Sequence, residues 1–250
     1  MRRYFQDHYA KRIRAFATEV GNVNAKGIPE VHLPLWGQHY ETTPLKTAFV
    51  GRDTRYWGCM TDFLIAARAN PEAAVFRNEA EFLELPFTGW TNNFGTSFWD
   101  TVMQFLALFH GIPDWRQLKR RQRDDLLHTF VWAETNAVEL WEATPSIEGA
   151  DIEAWKTLKS ASERHFDSFS AILNIFKPHL VVVMNWTVPD SYWDCPLNFQ
   201  SIGDHVDYAL SESRNTHIFK IAHPNWLRGD RREATLQSVL KHWHAVRSAS

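Results

Sequence analysis

Leu180-Val181-Val182-Val183-Met184 is the stretch that decides the fold. A strand with one face in water alternates apolar and polar residues; this run does not alternate, and its centre is three β-branched valines. Short unbroken runs of this kind suit strands covered on both faces, which belong to parallel sheets flanked by helices. Three further runs share the character: Thr47–Val50, Thr129–Ala133 and His217–Ile221. Between them lie stretches with helical spacing. Ser97–Phe109 places Phe98, Val102, Phe105, Leu106 and Phe109 on one stripe, Ile152–Phe176 holds another helix, and Leu236, Val239, Leu240, Trp243 and Val246 mark a closing one. Strands alternating with helices predict an α/β fold, a three-layer α/β/α sandwich around a central four-stranded parallel sheet.

Outward from that core, residues 2–20 read as a charged amphipathic helix with Tyr4, Tyr9, Ile13, Phe16 and Val20 on its apolar stripe. A stretch punctuated by Gly and Pro follows to about residue 44. The expected organisation is a single domain over 1–250, with an N-terminal helical extension over 1–44 and an insertion over about 57–93. At 250 residues and 44% hydrophobic, the chain can bury a sizeable core, and its 12 Trp and 17 Phe belong mostly to that core. A net charge of −2 argues against a basic field over the whole surface. Two local basic runs stand out: Lys119, Arg120, Arg121 and Arg123, and Arg228, Arg231 and Arg232. Each is either a solvated helix face or a phosphate contact.

Cys59 and Cys195 cannot make a four-thiolate zinc or iron–sulfur site, and the histidines have no metal-ligand spacing, so neither a cofactor nor a metal or iron–sulfur cluster is expected. No run reaches 18 apolar residues, and the N-terminus lacks the apolar stretch of a signal peptide. The expectation is a cytoplasmic monomer with no membrane partner.

In open α/β sheets, ligands bind at the carboxyl ends of the strands. Four segments fall there: Gly51-Arg52-Asp53, Glu134-Thr135-Asn136, Asn185-Trp186-Thr187 and His223-Pro224-Asn225. Polar residues begin most loops, so the segments alone do not name a site. Val50-Gly51-Arg52-Asp53, however, resembles the first signature motif of uracil-DNA glycosylases, a strand ending in Gly-Gln-Asp-Pro-Tyr. Ala222-His223-Pro224-Asn225-Trp226-Leu227 resembles the last, His-Pro-Ser-Pro-Leu, with Leu227 at the fourth position after the His. Phe130–Asn136 falls where the superfamily has a strand ending in an Asn-bearing motif. The resemblance runs in order over about residues 45–230, with identity confined to a few residues.

The resemblance implies a DNA glycosylase that flips a base out of DNA and hydrolyses its N-glycosidic bond, leaving an abasic site. Breaking that bond builds positive charge on the sugar and negative charge on the departing base. Asp53 would steady the sugar cation and orient water, and His223 would hydrogen-bond a base oxygen as the anion leaves. Gly51, Arg55, Tyr56, Phe94, Asn136 and Asn225 would line the base pocket. Asn136 would read the base edge, because an amide both donates and accepts. Trp226 and Leu227 would wedge into the space left by the flipped base, with Arg228 and Arg231 near phosphates. Other readings stay open: Asp53 as a helix N-cap, His223-Pro224 as a structural turn, Asn136 as an ordinary loop residue, Phe94 as a hydrophobic loop anchor.

Departures from the motifs bear on the substrate. Thr54, Arg55 and Tyr56 follow Asp53, so Arg55 stands where the uracil-specific members have the Tyr that excludes thymine. Phe94 is the candidate base-stacking aromatic, with Trp57 second, and it lies far beyond Asp53. The added segment from Trp57 to Trp90 suggests a changed pocket. Members that excise a bulky modified base, such as glucosylated hydroxymethylcytosine of phage DNA, are the comparison, and they imply antiviral defence. Trp186, Tyr192 and Trp193 would then serve a sugar-bearing base. The alternatives are a uracil-DNA glycosylase of base excision repair, a catalytically silent nucleic-acid-binding module, and an α/β protein that binds a small nucleotide or sugar. The last lacks a Gly-rich phosphate cradle after the first strand.

Overall fold

A computed structural model describes residues 1–52, 57–79, 82, 97–139, 149, 151–166, 169–188 and 192–248. Its strands are β1 (Leu35–Trp36), β2 (Thr47–Gly51), β3 (Phe130–Glu134), β4 (Leu180–Val183), β5 (Gln200–Gly203), β6 (Val206–Ser211) and β7 (Thr216–Ile221). Its helices are α1 (Arg2–Val20), α2 (Met60–Ala69), α3 (Pro71–Ala74), α4 (Ser97–Phe109), α5 (Arg120–Leu127), α6 (Ile152–His165), α7 (Phe169–Phe176) and α8 (Asp230–Ser248), with a 3-10 turn over Trp115–Gln117.

All four strands expected from the apolar runs are present and lie side by side, parallel, in the order β3-β2-β4-β7. The sheet is larger than expected and mixed: β1 pairs antiparallel with β3 at one edge, and β6 and β5 extend it antiparallel beyond β7, giving seven strands. The added strands carry weak signals. β1 has two residues, and β5 is partly exposed and polar. β5 and β6 join through a turn in which His205 takes a positive φ, and Asn215 does the same between β6 and β7. Asn tolerates that left-handed geometry better than most residues.

Each central strand is buried on both faces, and its residues alternate between two cores. Ala48, Val50, Val131, Ala133, Val181, Val183 and Ile218 face a layer built from α1, α2, α3, α6 and α7. Phe49, Phe130, Trp132, Leu180, Val182, Phe219 and Ile221 face α4, α5 and α8. The three-layer arrangement thus follows from strands with no polar face. Each valine side chain so buried contributes about 1.5 kcal/mol or more.

Details of the helices differ from the periodicity. In α1 the buried stripe is Phe5, Tyr9, Ile13, Phe16 and Val20; Tyr4 is exposed, because Phe5 rather than Tyr4 continues the i, i+4 row. Within residues 1–44, α1 packs into one helical layer and β1 pairs with the sheet. The 152–176 stretch is two helices, α6 and α7.

Chain order sets where a ligand can sit. The connection from β2 leads to β3 on one side, while that from β4 leads toward β7 on the other. Connections that diverge in this way leave a crevice at the carboxyl ends of β2 and β4. β2 and β7 flank β4, so the segments leaving them start two strand spacings apart, roughly 10 Å.

Candidate functional site at the strand ends

Asp53, Arg55, Tyr56 and Phe94 lie outside the described residues, and the strand ends around the crevice frame the site. The frame begins with the backbone just before Asp53. The Arg52 carbonyl accepts three hydrogen bonds: from Asn136 N (3.0 Å), Asn136 Nδ2 (2.8 Å) and Thr135 Oγ1 (2.9 Å). Thr135 N donates to the Gly51 carbonyl (3.0 Å). Asn185 Nδ2 reaches across from the end of β4 to Thr135 Oγ1 (2.7 Å), and Asn185 Oδ1 accepts from Thr187 N and Oγ1. The ends of β2, β3 and β4 are therefore stitched together by Thr135, Asn136 and Asn185, all three buried. Buried amides and hydroxyls persist only when satisfied in this way.

This arrangement gives Asn136 a definite task. Its Nδ2 donates to the Arg52 carbonyl and also approaches Thr135 Oγ1 (3.3 Å), so both amide hydrogens are engaged within the protein. Contact with a base edge would fall to Oδ1. Gly51 has an equally concrete role. A Cβ there would run into the Glu134 carboxylate. Glu134 is fixed in turn, with Oε1 accepting from Trp132 Nε1 at 2.6 Å.

The aromatic surroundings of Trp132 carry no motif. Its ring lies 4.9 Å from Trp99, 5.4 Å from Trp57, 4.5 Å from His32 and 6.2 Å from Phe82. These rings come from five separate segments and form an aromatic floor beside the Gly51–Glu134 pair. Trp57, the second candidate for base stacking, is part of it and is buried. A polar residue inside the apolar run Val31-His32-Leu33 was the available sequence signal for His32.

At the other side of the crevice, His223 is half-buried just past β7. Its Nδ1 accepts from Asn225 N–H (3.2 Å). In the neutral ring that contact assigns the proton to Nε2, which makes Nε2 the donor. The turn is closed by Trp226 N to the His223 carbonyl (2.8 Å) and Leu227 N to the Pro224 carbonyl (3.1 Å). Asn225 Oδ1 accepts from Ser97 Oγ at the start of α4, tying the turn to that helix.

The same turn separates two residues expected to act together. Trp226 is 76% exposed, whereas Leu227 is 4% exposed and belongs to the core with Leu236 and Val239. The outward side chain is Trp226, because reversal of the chain at Pro224–Trp226 turns Leu227 inward. Arg228 is exposed, its Nε donating to the Asn225 carbonyl (3.2 Å), and Arg231 is exposed without a hydrogen bond or ion pair among the described residues. Arg232 is engaged: it pairs with Asp100 at the start of α4. Asp100 also accepts from Arg116 Nη2 (2.6 Å) and Trp115 Nε1 (2.9 Å). One carboxylate thereby draws the neighbourhoods of the two basic runs together, although they lie about a hundred residues apart in sequence.

Of the aromatics considered for a sugar-bearing base, Trp186 is the most open, with Lys220 Nζ 4.8 Å from its ring centroid. Tyr192 is buried against Phe169, and Trp193 is wedged between Phe169 and Phe199. Among the described residues, no group of three or more His, Cys, Asp or Glu is placed to hold a metal ion, and no helix is long and apolar enough to cross a membrane. Comparisons with protein-family models, curated proteins and solved structures gave no match for this chain.

Proposed function

We propose that the chain is a monofunctional DNA glycosylase acting on a flipped, modified or damaged base. The observation that carries the reading is the His223 turn. It puts an imidazole, an Nε2–H donor in its neutral form, at the same sheet end where the chain leaves Gly51 toward Asp53, with β4 between them. A donor on one side of a crevice and a carboxylate on the other is what cleavage of an N-glycosidic bond needs. Water oxygen bonds to C1′ while the C1′–N bond breaks and its electron pair leaves with the base. Asp53 steadies the sugar cation and takes the proton from water, and His223 donates to the base oxygen that gains charge.

Further support comes from the surroundings. Trp226 stands exposed beside His223, as a side chain that fills a vacated base position must. Arg228 and Arg231 follow it, exposed and suited to phosphates. The aromatic floor around Trp132 offers flat apolar surface beside the crevice. Asp53, as the carboxylate, and the modified base, as the substrate, are taken from the motif resemblance and its departures at Arg55.

The test is direct. The protein is incubated with DNA containing uracil, hydroxymethylcytosine, glucosylated hydroxymethylcytosine or unmodified bases, then treated with alkali. Strand breaks on one modified substrate, lost in Asp53→Asn and reduced at least a hundredfold in His223→Ala, are the expected result. Breaks only with uracil would assign the chain to uracil repair instead. Binding to DNA without breaks on any substrate would leave a silent binding module, and wild-type excision by both variants would remove the assignment.

A further inference from the structure

The basic residues gathered around Asp100 form a row that begins at the His223 turn. Ser97 Oγ, on the first residue of α4, donates to Asn225 Oδ1, next to the exposed Trp226. Asp100 lies three residues further along the same helix, about 5 Å down its axis. Its Oδ2 accepts from Arg232 in the first turn of α8, and its Oδ1 accepts from Arg116 Nη2 (2.6 Å) and Trp115 Nε1 (2.9 Å). Two guanidinium groups thus share one carboxylate, and their bonded nitrogens lie no more than about 8 Å apart.

The row continues into α5. Arg123 Nε donates to the Leu118 carbonyl (2.8 Å) and Arg123 Nη2 to the Arg116 carbonyl (3.0 Å). The guanidinium groups of Arg116 and Arg123 each lie 5.3 Å from the ring centre of the buried Trp115. These contacts clamp the first turn of α5 against the Trp115–Gln117 turn and so set Lys119, Arg120 and Arg121 beside Arg116. All three are exposed, and the Arg120 and Arg121 side chains have no hydrogen bond or ion pair among the described residues.

Neighbouring carboxylates do not cancel this charge. Asp100 and Asp114 balance Arg116 and Arg232. Asp124 and Asp125 act on His128 at the far end of α5, and Glu233 is bonded to Gln237 further along α8 (2.8 Å). That leaves Lys119, Arg120, Arg121, Arg123, Arg228 and Arg231 against Asp230, in a chain whose net charge is −2. A row of guanidinium groups with spare donors suits a strand of phosphates, which recur every ~3.4 Å along the axis of a duplex.

We propose that the surface running from Arg228 and Arg231 to Lys119, Arg120 and Arg121 binds the DNA backbone to one side of the flipped nucleotide. Asp100 sets the spacing of the row through Arg116 and Arg232, and Arg120 and Arg121 make the outlying phosphate contacts. DNA as the ligand rests on the glycosylase reading, while the place of the contacts rests on the ion pairs and hydrogen bonds that join α4, α5 and α8.

The test measures binding of a short unmodified DNA duplex to the full chain across a range of salt concentrations. It compares wild type, Arg120→Ala/Arg121→Ala, and Arg3→Ala/Lys26→Ala, a control with the same change of charge at exposed positions on the opposite helical layer. Loss of two phosphate contacts should lower the slope of log affinity against log salt by about 2 and weaken binding at least about fivefold at about 0.1 M salt. The Tm of the variant and the binding of the control should stay at wild-type values. A slope that changes by less than about half a unit, or an equal loss in the control, overturns the proposal. So does a wild-type chain that binds no DNA, or binds only an RNA duplex. Binding is read separately from base release: salt-sensitive DNA binding lost in Arg120→Ala/Arg121→Ala, with no base released by wild type, would remove the glycosylase reading and leave this surface standing.

Discussion

Asp100→Ala removes a carboxylate shared by three donors, and the loss can be sized from their surroundings. The side chain is 12% exposed in the first turn of α4. Trp115 is buried, so its indole N–H, left without an acceptor, costs about 1–3 kcal/mol. Arg232, 23% exposed, loses a charge-assisted bond worth about 1–2 kcal/mol once solvent screening is allowed for. Arg116 is half exposed and adds little. The expected destabilisation is about 3 kcal/mol, which for a chain of this size lowers the Tm by about 6–12 °C. Asp100→Asn keeps an acceptor for Trp115 and should lose about half as much. Urea titration with tryptophan fluorescence and thermal unfolding by circular dichroism both read the change. A loss below about 1 kcal/mol for Asp100→Ala, an ordinary surface value, would refute the view that this carboxylate ties α4, the 3-10 turn and α8 together.

Other predictions follow from the same geometry. Trp226→Ala should leave the Tm unchanged and weaken DNA binding, whereas Leu227→Ala should cost about 2–4 kcal/mol of stability, since it empties a core position; equal effects of the two on binding and on Tm would contradict the inward turn. Asn136→Ala removes the side-chain amide, one of the Arg52 carbonyl's three donors, and should lower stability by about 1 kcal/mol; an unchanged urea midpoint would show that the Asn136 side chain does not hold this backbone. Acid should weaken the fold through His32, whose folded pKa of about 3 lies below its ordinary 6.5. The unfolded chain takes up the proton first, so stability is unaffected above about pH 6.5 and falls as pH drops toward 3, by about 2 kcal/mol at pH 5 from this residue. His8, lowered to about 4, and the burial-lowered His110, His128, His179, His217 and His242 act in the same direction. His32→Phe should therefore shrink the difference between the urea midpoints at pH 7 and pH 5, and an undiminished difference would refute the assignment.

The four parallel strands were legible because burial on both faces leaves an unbroken apolar run, as in Val181-Val182-Val183. α4 was legible to the residue because its apolar stripe is wide and its ends are marked by Ser97 and by Gly111. β1 and β5 were not, because edge strands are held by pairing to a neighbour and need little apolar character of their own, and β6, between β7 and β5, was not because its half-exposed residues Asp207 and Tyr208 break the apolar run. At the site, the strand ends and the His223 turn could be placed from chain order alone. Which of Trp226 and Leu227 faces outward could not, because it depends on the hydrogen bonds that close the turn. The Trp132 floor escaped notice for a similar reason: its rings are distant in sequence, and only the packing of β3 against the 30–36 and 57–60 segments joins them.

The triple hold on the Arg52 carbonyl has a consequence for how such a protein can diversify. Residues 47–52 and their partners on β3 and β4 form an anchor whose geometry is set by groups that all precede or lie outside the stretch beginning at 53. Changes of length or chemistry beyond that anchor leave the strand register untouched. Selection for a new ligand can then act on the residues that follow 52 and precede β3, while Thr135, Asn136 and Asn185 keep the strand ends in place.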